Sequence, residues 1–248
     1  MFSIIVIGDE ILSGSVADTN LRHAFKKLRE RSMTVDEVRI IPDKLDVIVK
    51  TIREMKERSQ FVISSGGIGP THDDVTMEAY ARVFGVELAE DPYLKRRLTA
   101  YFGSENKGQH VRFYTLPKGT KLLGGTEERW PAFQLGNCFI LPGLPRSFEE
   151  KLEIVLDSLP AAEKIHHREL KISVPEGYFA TALAGLQSQY PGVDVGSYPQ
   201  YRDSSSRDRE QDEPVVRVTL KSVDKEQLQA CCDELTTFFK SNDWLMGG

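Results

Sequence analysis

Apolar runs alternate with amphipathic segments through the first two thirds of the chain. Short and nearly continuous apolar runs, which are typical of buried β-strands, lie at 3–8, 34–41, 61–65 and 138–141. Apolar residues at helical spacing follow at 18–31, 75–84 and 91–102, after Pro42, and before Pro160. Because the helices connect successive strands, this pattern predicts an α/β fold with three αβα layers and a mostly parallel sheet.

The order of the elements changes after about residue 165. A strand, a helix, two more strands and a last helix are predicted in this order, and residues 214–222 alternate between apolar and polar as a half-buried strand does. Such an order predicts a small C-terminal α+β domain. We therefore expect one domain at 1–165 and a second at 166–248.

Composition and charge narrow the range of partners. The chain has 248 residues and a net charge of -5, which argues against a broad nucleic-acid surface. No run approaches the roughly 18 apolar residues of a membrane span, and the first residues are typical of a strand, not of a signal peptide. Three cysteines give neither a disulfide framework nor zinc-ligand spacing. We expect a cytoplasmic protein with no nucleic-acid or membrane partner.

Candidate chemistry begins with a glycine-rich turn, SSGGIGPTHDDVT, at 64–76. Gly66, Gly67 and Gly69 allow backbone N–H groups to approach an anion closely at the start of a helix. The turn lacks the Gly-Lys-Ser/Thr ending of a P-loop and the spacing of a G-x-G-x-x-G motif. It therefore predicts an anion site of another kind.

Two adjacent carboxylates, Asp73 and Asp74, end this turn. One of them could cap the following helix, which leaves the other without a structural role. Carboxylates beside an anion site repel the anion unless a cation bridges the two. Mg²⁺ is commonly bound by one or two carboxylates together with substrate phosphates. The pair therefore predicts a metal-assisted phosphate site.

Two further strands end in acidic segments. GDEILSGSVADTN follows the first strand at 8–20, and an aspartate follows the second strand in IPDK. The carboxyl ends of parallel strands meet at one edge of a sheet, where ligands bind. One aspartate could instead be a helix cap and the glutamate could simply be solvated. The shared placement predicts that these carboxylates face one crevice: Asp9, Glu10, Asp43, Asp73 and Asp74.

The motifs GDEILSG…DTN and SGGIGPTHDDVT resemble those of the molybdopterin-binding domain family of the MoaB/Mog type. More narrowly they resemble its CinA-like branch, whose proline-glycine turn before a helix is matched by LPGLPRSFEE. The tail, with HHRELKISV…VGSYPQY…VRVTLKS, is similar to the segment that follows this domain in eukaryotic FAD synthases. The resemblance covers nearly the whole chain.

The resemblance implies catalytic residues. In Mog-type enzymes, which adenylylate molybdopterin, the second aspartate of the glycine motif and the aspartate of IPD are catalytic, and these correspond to Asp74 and Asp43. Asp73, beside the first of them, is a third residue expected to be catalytic. The relatives with CinA-like and FAD synthase domains imply cleavage of a dinucleotide pyrophosphate, in FAD or ADP-ribose. That reaction would use a divalent metal (Mg²⁺, Mn²⁺ or Co²⁺), with a monovalent cation as a further candidate.

Binding residues are expected in the same two motifs. The metal ligands expected are Asp9, Glu10 and Asp74. The phosphate- or substrate-binding residues expected are Gly66, Gly67, Gly69, Thr71, Ser13, Gly14, Asp18 and Asn20. The resemblance also implies a homo-oligomer, because members of this family commonly form one.

Three functions remain open at this point. The first is a metal-dependent hydrolase that splits FAD or a related dinucleotide. The second is a molybdopterin-binding or adenylyl-transferring protein of molybdenum cofactor biosynthesis, and the third is a non-catalytic module that binds a nucleotide or pterin and regulates a partner. Nothing in the chain matches the PP-loop-like signature of the domain that makes FAD, so FAD synthesis by this chain alone is not expected.

Overall fold

The computed structural model describes residues 1–102, 110–126, 128–200 and 215–246. The chain divides into two compact units, Met1–Ala162 and Glu163–Gly248. Within the described ranges, no helix combines the length and the apolar character that crossing a membrane requires.

The first unit is built from alternating strands and helices. In chain order these are β1 (Phe2–Ile7), α1 (Asp9–Leu12), α2 (Asn20–Glu30), β2 (Val35–Ile41), α3 (Leu45–Arg58), β3 (Phe61–Ser65), α4 (Thr76–Phe84), β4 (Leu88–Glu90), α5 (Pro92–Phe102), α6 (Val111–Tyr114), β5 (Thr115–Pro117), β6 (Lys121–Leu123), β7 (Ala132–Leu135), β8 (Cys138–Leu141) and α7 (Pro145–Ser158).

The main sheet has the strand order β2-β1-β3-β8-β7-β6. The first four strands in this order are parallel to one another, whereas β7 and β6 are antiparallel to their neighbours. The predicted three-layer fold with a mostly parallel sheet is confirmed. The β6–β7 hairpin and the separate β4–β5 pair were not predicted, because three or four residues are too few to show a period.

Helices cover both faces of this sheet, and β1 is buried along its whole length for that reason. On one face α3 and α4 bury Ile48, Ile52 and Tyr80 against the sheet. On the other face α2 and α7 bury Leu28, Phe148 and Leu152. The two cores fix the sheet, and with it the edge at which the parallel strands end.

At that edge the backbone pairing continues for one residue beyond the strands. Gly8 N–H donates to the carbonyl of Ile41 at 3.1 Å, and Gly66 N–H donates to the carbonyl of Leu141 at 3.1 Å. The segments that follow β1, β2, β3 and β8 are therefore held side by side. This pairing determines which side chains can meet there.

The second unit is a small α+β structure. Its elements are β9 (His166–Ile172), α8 (Ala180–Gln189), β10 (Asp194–Pro199), β11 (Val216–Ser222) and α9 (Lys225–Ser241), with a short 3₁₀ turn before α8. The strands form an antiparallel sheet in the order β10-β11-β9. Ile172, Val218 and Phe239 belong to its core. The predicted β-α-β-β-α order is confirmed.

Tyr80 allows a test of the first unit's packing. Its side chain is fully buried, and its hydroxyl donates to Ser64 Oγ at 3.0 Å. Burial raises the pKa of the Tyr80 phenol well above its usual value of about 10, because the phenolate would lose its hydration. The unfolded chain therefore releases this proton above about pH 10 while the folded chain keeps it, and the folded state loses stability as the pH rises.

We expect Tyr80→Phe to lower the free energy of unfolding by about 1 kcal/mol at pH 7. The difference in the free energy of unfolding between the variant and the wild type should be smaller at about pH 10.5, because the variant lacks the ionisable group. Urea unfolding at both pH values measures this. Tyr101→Phe, at an exposed position, should differ from the wild type by the same amount at both. A Tyr80→Phe gap that does not change with pH would contradict the prediction.

Candidate active site

A cavity of 670 Å³ lies where the four parallel strands end. Its walls come from the segments after each strand: Glu10 after β1, Asp43 after β2, the glycine turn after β3, and residues 142–145 after β8. Segments that are distant in sequence therefore share one pocket, as the parallel sheet predicted.

Two glycines shape the turn at the floor of this cavity. Gly66 and Gly67 have φ values of +109° and +64°, in the left-handed region that favours glycine. A Cβ atom on Gly66 would collide with the carbonyl oxygen of Ile7, and one on Gly67 would collide with Oγ1 of Thr76. Both positions therefore require glycine for two independent reasons.

Thr76, the first residue of α4, holds the glycine turn in place. Its backbone N–H donates to the carbonyl of Gly67 and its hydroxyl donates to the carbonyl of Gly66, both at 3.0 Å. The side chain is fully buried. In the described part of the chain, the backbone N–H groups at 67–69 have no acceptor. Successive N–H groups in a turn of this kind can bind an anion.

Asp43 lies beside this turn and does not cap a helix. Helix α3 begins at Leu45, and the Oδ2 atom of Asp43 instead accepts a hydrogen bond from the backbone N–H of Asp9 at 2.9 Å. Burial raises the pKa of the Asp43 carboxyl, the hydrogen bond from Asp9 opposes the shift, and the negative charge of Glu10 adds to it. A carboxylate is thus fixed in a place that disfavours its negative charge.

Asp73 and Asp74 both line the cavity. Asp74 Oδ2 accepts hydrogen bonds from the backbone N–H of Thr71 at 2.8 Å and from its hydroxyl at 2.5 Å. Neither aspartate caps α4, because the helix has no side-chain cap. Arg112 donates to the carbonyl of Asp74 at 2.9 Å. Asp74 therefore closes the tip of the turn, and one of its oxygens already has two donors.

The predicted site residues divide into two groups. Those that line the cavity are Glu10, Asp43, Gly66, Gly67, Gly69, Asp73 and Asp74. Those that are not part of its lining are Asp9, Ser13, Gly14, Asp18, Asn20 and Thr71. The ligand-binding roles of both groups stay predictions.

Several residues of the second group have contacts within the fold. Asp18 accepts from the backbone N–H of Leu21 at 2.7 Å, at the start of α2. The Asn20 amide donates to Ser65 Oγ at 3.1 Å and to the carbonyl of Gly143 at 2.8 Å. Asn20 thereby ties the end of β3 to the proline-glycine turn after β8, so it supports two walls of the cavity at once.

The donor set also bears on a metal. Within the described ranges, no three histidine, cysteine, aspartate or glutamate side chains lie close enough to form a metal-ligand cluster, so Asp9, Glu10 and Asp74 do not form one. However, Mg²⁺ commonly takes only one or two protein carboxylates and completes its shell with water and substrate phosphates. Carboxylates beside free backbone N–H groups fit a hard cation that binds together with a phosphate.

The cavity is also lined by residues that the sequence reasoning missed. Phe113, Trp130, Phe133 and Lys151 line it. The aromatic residues gave no periodic signal. Lys151 did give one, because it occupies a position on α7 where the helical spacing of its neighbours calls for an apolar residue.

Comparisons with known proteins divide the chain close to the boundary between the two units, Met1–Ala162 and Glu163–Gly248. The family model described as a probable molybdopterin binding domain matches residues 3–162, and the model of the FAD synthase middle domain matches residues 164–245. The resemblance inferred from the two glycine and aspartate motifs and from the tail is therefore confirmed.

Individual relatives extend over most of the chain. A protein of Archaeoglobus fulgidus is 31% identical, over 80% of this chain and 86% of its own length. A probable FAD synthase of Caenorhabditis elegans is 26% identical, over 98% of this chain and 52% of its own length, so this chain spans about half of that relative. The solved structure of CinA from Thermoplasma acidophilum, a protein of unknown function, is 28% identical and covers 63% of this chain and 95% of its own, with a TM-score of 0.57.

The position of Asp43 leads to a prediction about stability. An acid whose pKa is raised by folding destabilises the folded state at a pH above that pKa, and the cost disappears below its usual pKa of about 3.9. We expect Asp43→Asn to raise the midpoint of thermal unfolding by about 1–3 °C at pH 7 in EDTA. The gain should shrink as the pH falls toward about 4.

Scanning calorimetry at both pH values measures the effect. Asp36→Asn is the matched control, since Asp36 is an exposed residue at the other end of β2. It should show no gain at pH 7. A midpoint for Asp43→Asn that lies below the wild type at pH 7 would show that the carboxylate stabilises the fold.

Proposed function

Since the chain belongs to the family described as the probable molybdopterin binding domain, we propose that it is a divalent-metal-dependent hydrolase. Its substrate is FAD or a related dinucleotide such as ADP-ribose, and it cleaves the pyrophosphate between the two nucleotides. One observation carries the proposal: free backbone N–H groups of a glycine turn and the carboxylates of three separate segments line a single cavity.

The glycine turn binds the pyrophosphate in this proposal. The backbone N–H groups at 67–69 donate to phosphate oxygens. The absence of side chains at Gly67 and Gly69 lets the turn pack closely against Thr76 and against the carboxylate of Asp74. Because Thr76 fixes the carbonyls of Gly66 and Gly67, the turn keeps its shape in the absence of the substrate. Such preorganised donors stabilise charge that develops in the transition state.

The carboxylates complete the site. Asp73 and Glu10 are the best candidates to hold the metal, because Asp74 Oδ2 already accepts two hydrogen bonds from Thr71 and Asp43 is assigned to the attacking water. A bound divalent cation would neutralise phosphate charge and polarise the phosphorus. Asp74 holds the tip of the turn through its hydrogen bonds from Thr71, and its other carboxylate oxygen stays available to contact the bound substrate.

The reaction is a hydrolysis. The oxygen of a water molecule attacks one phosphorus, the bond from this phosphorus to the bridging oxygen breaks, and the second phosphate leaves with the electron pair. FAD and water thus give FMN and AMP. Asp43 orients the water and accepts its proton, a role that its raised pKa favours.

The flavin is favoured as substrate by the second unit. Residues 164–245 match the FAD synthase middle domain, and the probable FAD synthase of C. elegans aligns with 98% of this chain. The cavity of 670 Å³ also has the size of a site for a ligand larger than a single ring.

Incubation of the protein with FAD and Mg²⁺, Mn²⁺ or Co²⁺, with and without K⁺, tests the proposal. We expect FMN and AMP to form in equal amounts and only with a divalent metal, as resolved by chromatography. Asp43→Asn and Asp74→Asn should each lower the rate about 100-fold or more, the range for loss of an acid–base or positioning group. Asp36→Asn should keep the wild-type rate.

Two outcomes would contradict the proposal. Folded wild-type protein that releases no FMN with any of these metals would favour a pterin-binding or regulatory module. Release that both Asp43→Asn and Asp74→Asn leave unchanged would assign the activity to another part of the chain, or to a contaminant.

A further inference from the structure

Lys151 is an unusual residue for the place it occupies. Its side chain is only 3% exposed, and it lies on the same face of α7 as Phe148, Leu152 and Val155, which are all part of the apolar core. A lysine is rarely buried to this degree without a partner that compensates for the lost hydration. It also lines the cavity, so this lysine is buried beside a space that a ligand could fill.

The ammonium group of Lys151 has donors to spare. It carries three N–H donors, and one of these is directed to Glu150 Oε1 at 2.9 Å. The residues that the structure describes supply no second acceptor. Because a desolvated donor without an acceptor costs free energy, the cavity is suited to a ligand that brings an acceptor atom to Lys151.

The same cavity has flat, apolar walls. Trp130 and Phe133 come from the β7 segment, and Arg97 lies over the Trp130 ring at 5.3 Å from its centroid. Arg97 also donates to the carbonyl of Arg129 at 2.9 Å, and Arg129 in turn donates to Glu150 Oε1 at 3.2 Å. Arg129 and Lys151 thus share the acceptor Glu150 Oε1, which places the segment that carries Trp130 near α7. Trp130 and Lys151 line the same cavity, where the indole offers a wall against which a planar ring can pack.

The strand order separates the Trp130 segment from the carboxylates of Glu10 and Asp43. Asp43 and Glu10 follow β2 and β1, while the Trp130 segment leads into β7, on the opposite side of β3 and β8. Neighbouring strands lie about 4.8 Å apart, so the β7 segment lies roughly 14 Å from the end of β1 and roughly 19 Å from the end of β2. This separation allows a ligand whose phosphates lie at the carboxylates to place a ring at the other end.

We propose that Lys151 is a specificity-determining residue, which donates a hydrogen bond to a carbonyl oxygen on the ring of the bound ligand while the ring packs against Trp130. The isoalloxazine ring of a flavin and the pterin ring share this chemistry, because both carry a carbonyl oxygen on a pyrimidine edge. Adenine has no ring oxygen. The choice of a flavin rests on the proposed function, whereas the ring site itself does not require hydrolysis.

Equilibrium binding in EDTA tests this without any turnover. The probes are riboflavin, which has the ring but no phosphate, together with FMN, AMP and neopterin, followed by fluorescence or calorimetry. Lys151→Met keeps the length and the apolar character that the α7 face requires. Lys151→Gln keeps an N–H donor without the charge, and thermal unfolding of both variants checks that each is folded.

We expect Lys151→Met to weaken the binding of riboflavin and of FMN by the same factor, about tenfold or more, as for loss of a hydrogen bond from a charged group. AMP binding should change by less than about twofold, and Lys151→Gln should lie between the wild type and Lys151→Met. An equal loss for neopterin but none for riboflavin would support the ring contact and assign it to a pterin.

Three results would overturn the proposal. Lys151→Met could weaken FMN and AMP but not riboflavin, which would make Lys151 a phosphate-binding group. It could leave all four ligands unchanged, or the wild type could bind no ring. The hydrolase proposal is tested separately. Riboflavin binding that depends on Lys151, in a protein that does not cleave FAD, would support this inference and contradict hydrolysis. FAD cleavage by a protein whose ring binding does not depend on Lys151 would support hydrolysis and contradict this inference.

Discussion

The site depends on how closely the backbone segments at the end of the sheet approach one another. A Cβ atom on Gly66 would collide with the carbonyl of Ile7, and one on Gly143 would lie 3.4 Å from the Cα of Gly66. The ends of β1, β3 and β8 are therefore in backbone contact, and only glycine permits it at Gly66. Thr76 then donates hydrogen bonds to the carbonyls of Gly66 and Gly67. These contacts fix the positions of the backbone N–H groups at 67–69 and of the carboxylates beside them.

Charge is distributed unevenly along the cavity. Four carboxylates line it near the glycine turn, with Arg112 as the cationic side chain close to Asp74, whereas Lys151 lies at the β7 end beside Glu150. Burial and neighbouring negative charge both disfavour ionised Asp43. An arrangement that costs stability in the free protein is common where a site is built for a ligand of the opposite charge. The carboxylate end therefore suits a cation, and an anion can bind there only together with one.

Much of this architecture could be predicted from the sequence, because long apolar runs fix the parallel strands and strand order brings their ends together. The glycine turn and Asp43 were found on that basis. The locking roles of Thr76 and Asp74 were not, since they depend on hydrogen bonds across the turn and not on residue type. Trp130 was missed because the β6–β7 hairpin that brings it to the site has strands too short to give a pattern. Lys151 broke the apolar spacing of α7, a signal that only burial makes meaningful.

The tip of the glycine turn is exposed to solvent, whereas its base is packed against the end of β1. The side chain of His72 is 99% exposed, and it lies two residues from Asp74 in the sequence. The three native cysteines are all buried, and burial raises the pKa of Cys138 to about 12 and that of Cys231 to about 11. The thiolates of Cys138 and Cys231 are therefore scarce at neutral pH and slow to react. A cysteine introduced at position 72 would accept a thiol-reactive fluorophore selectively, next to the cavity and outside its lining, and would give an optical reporter of ligand occupancy.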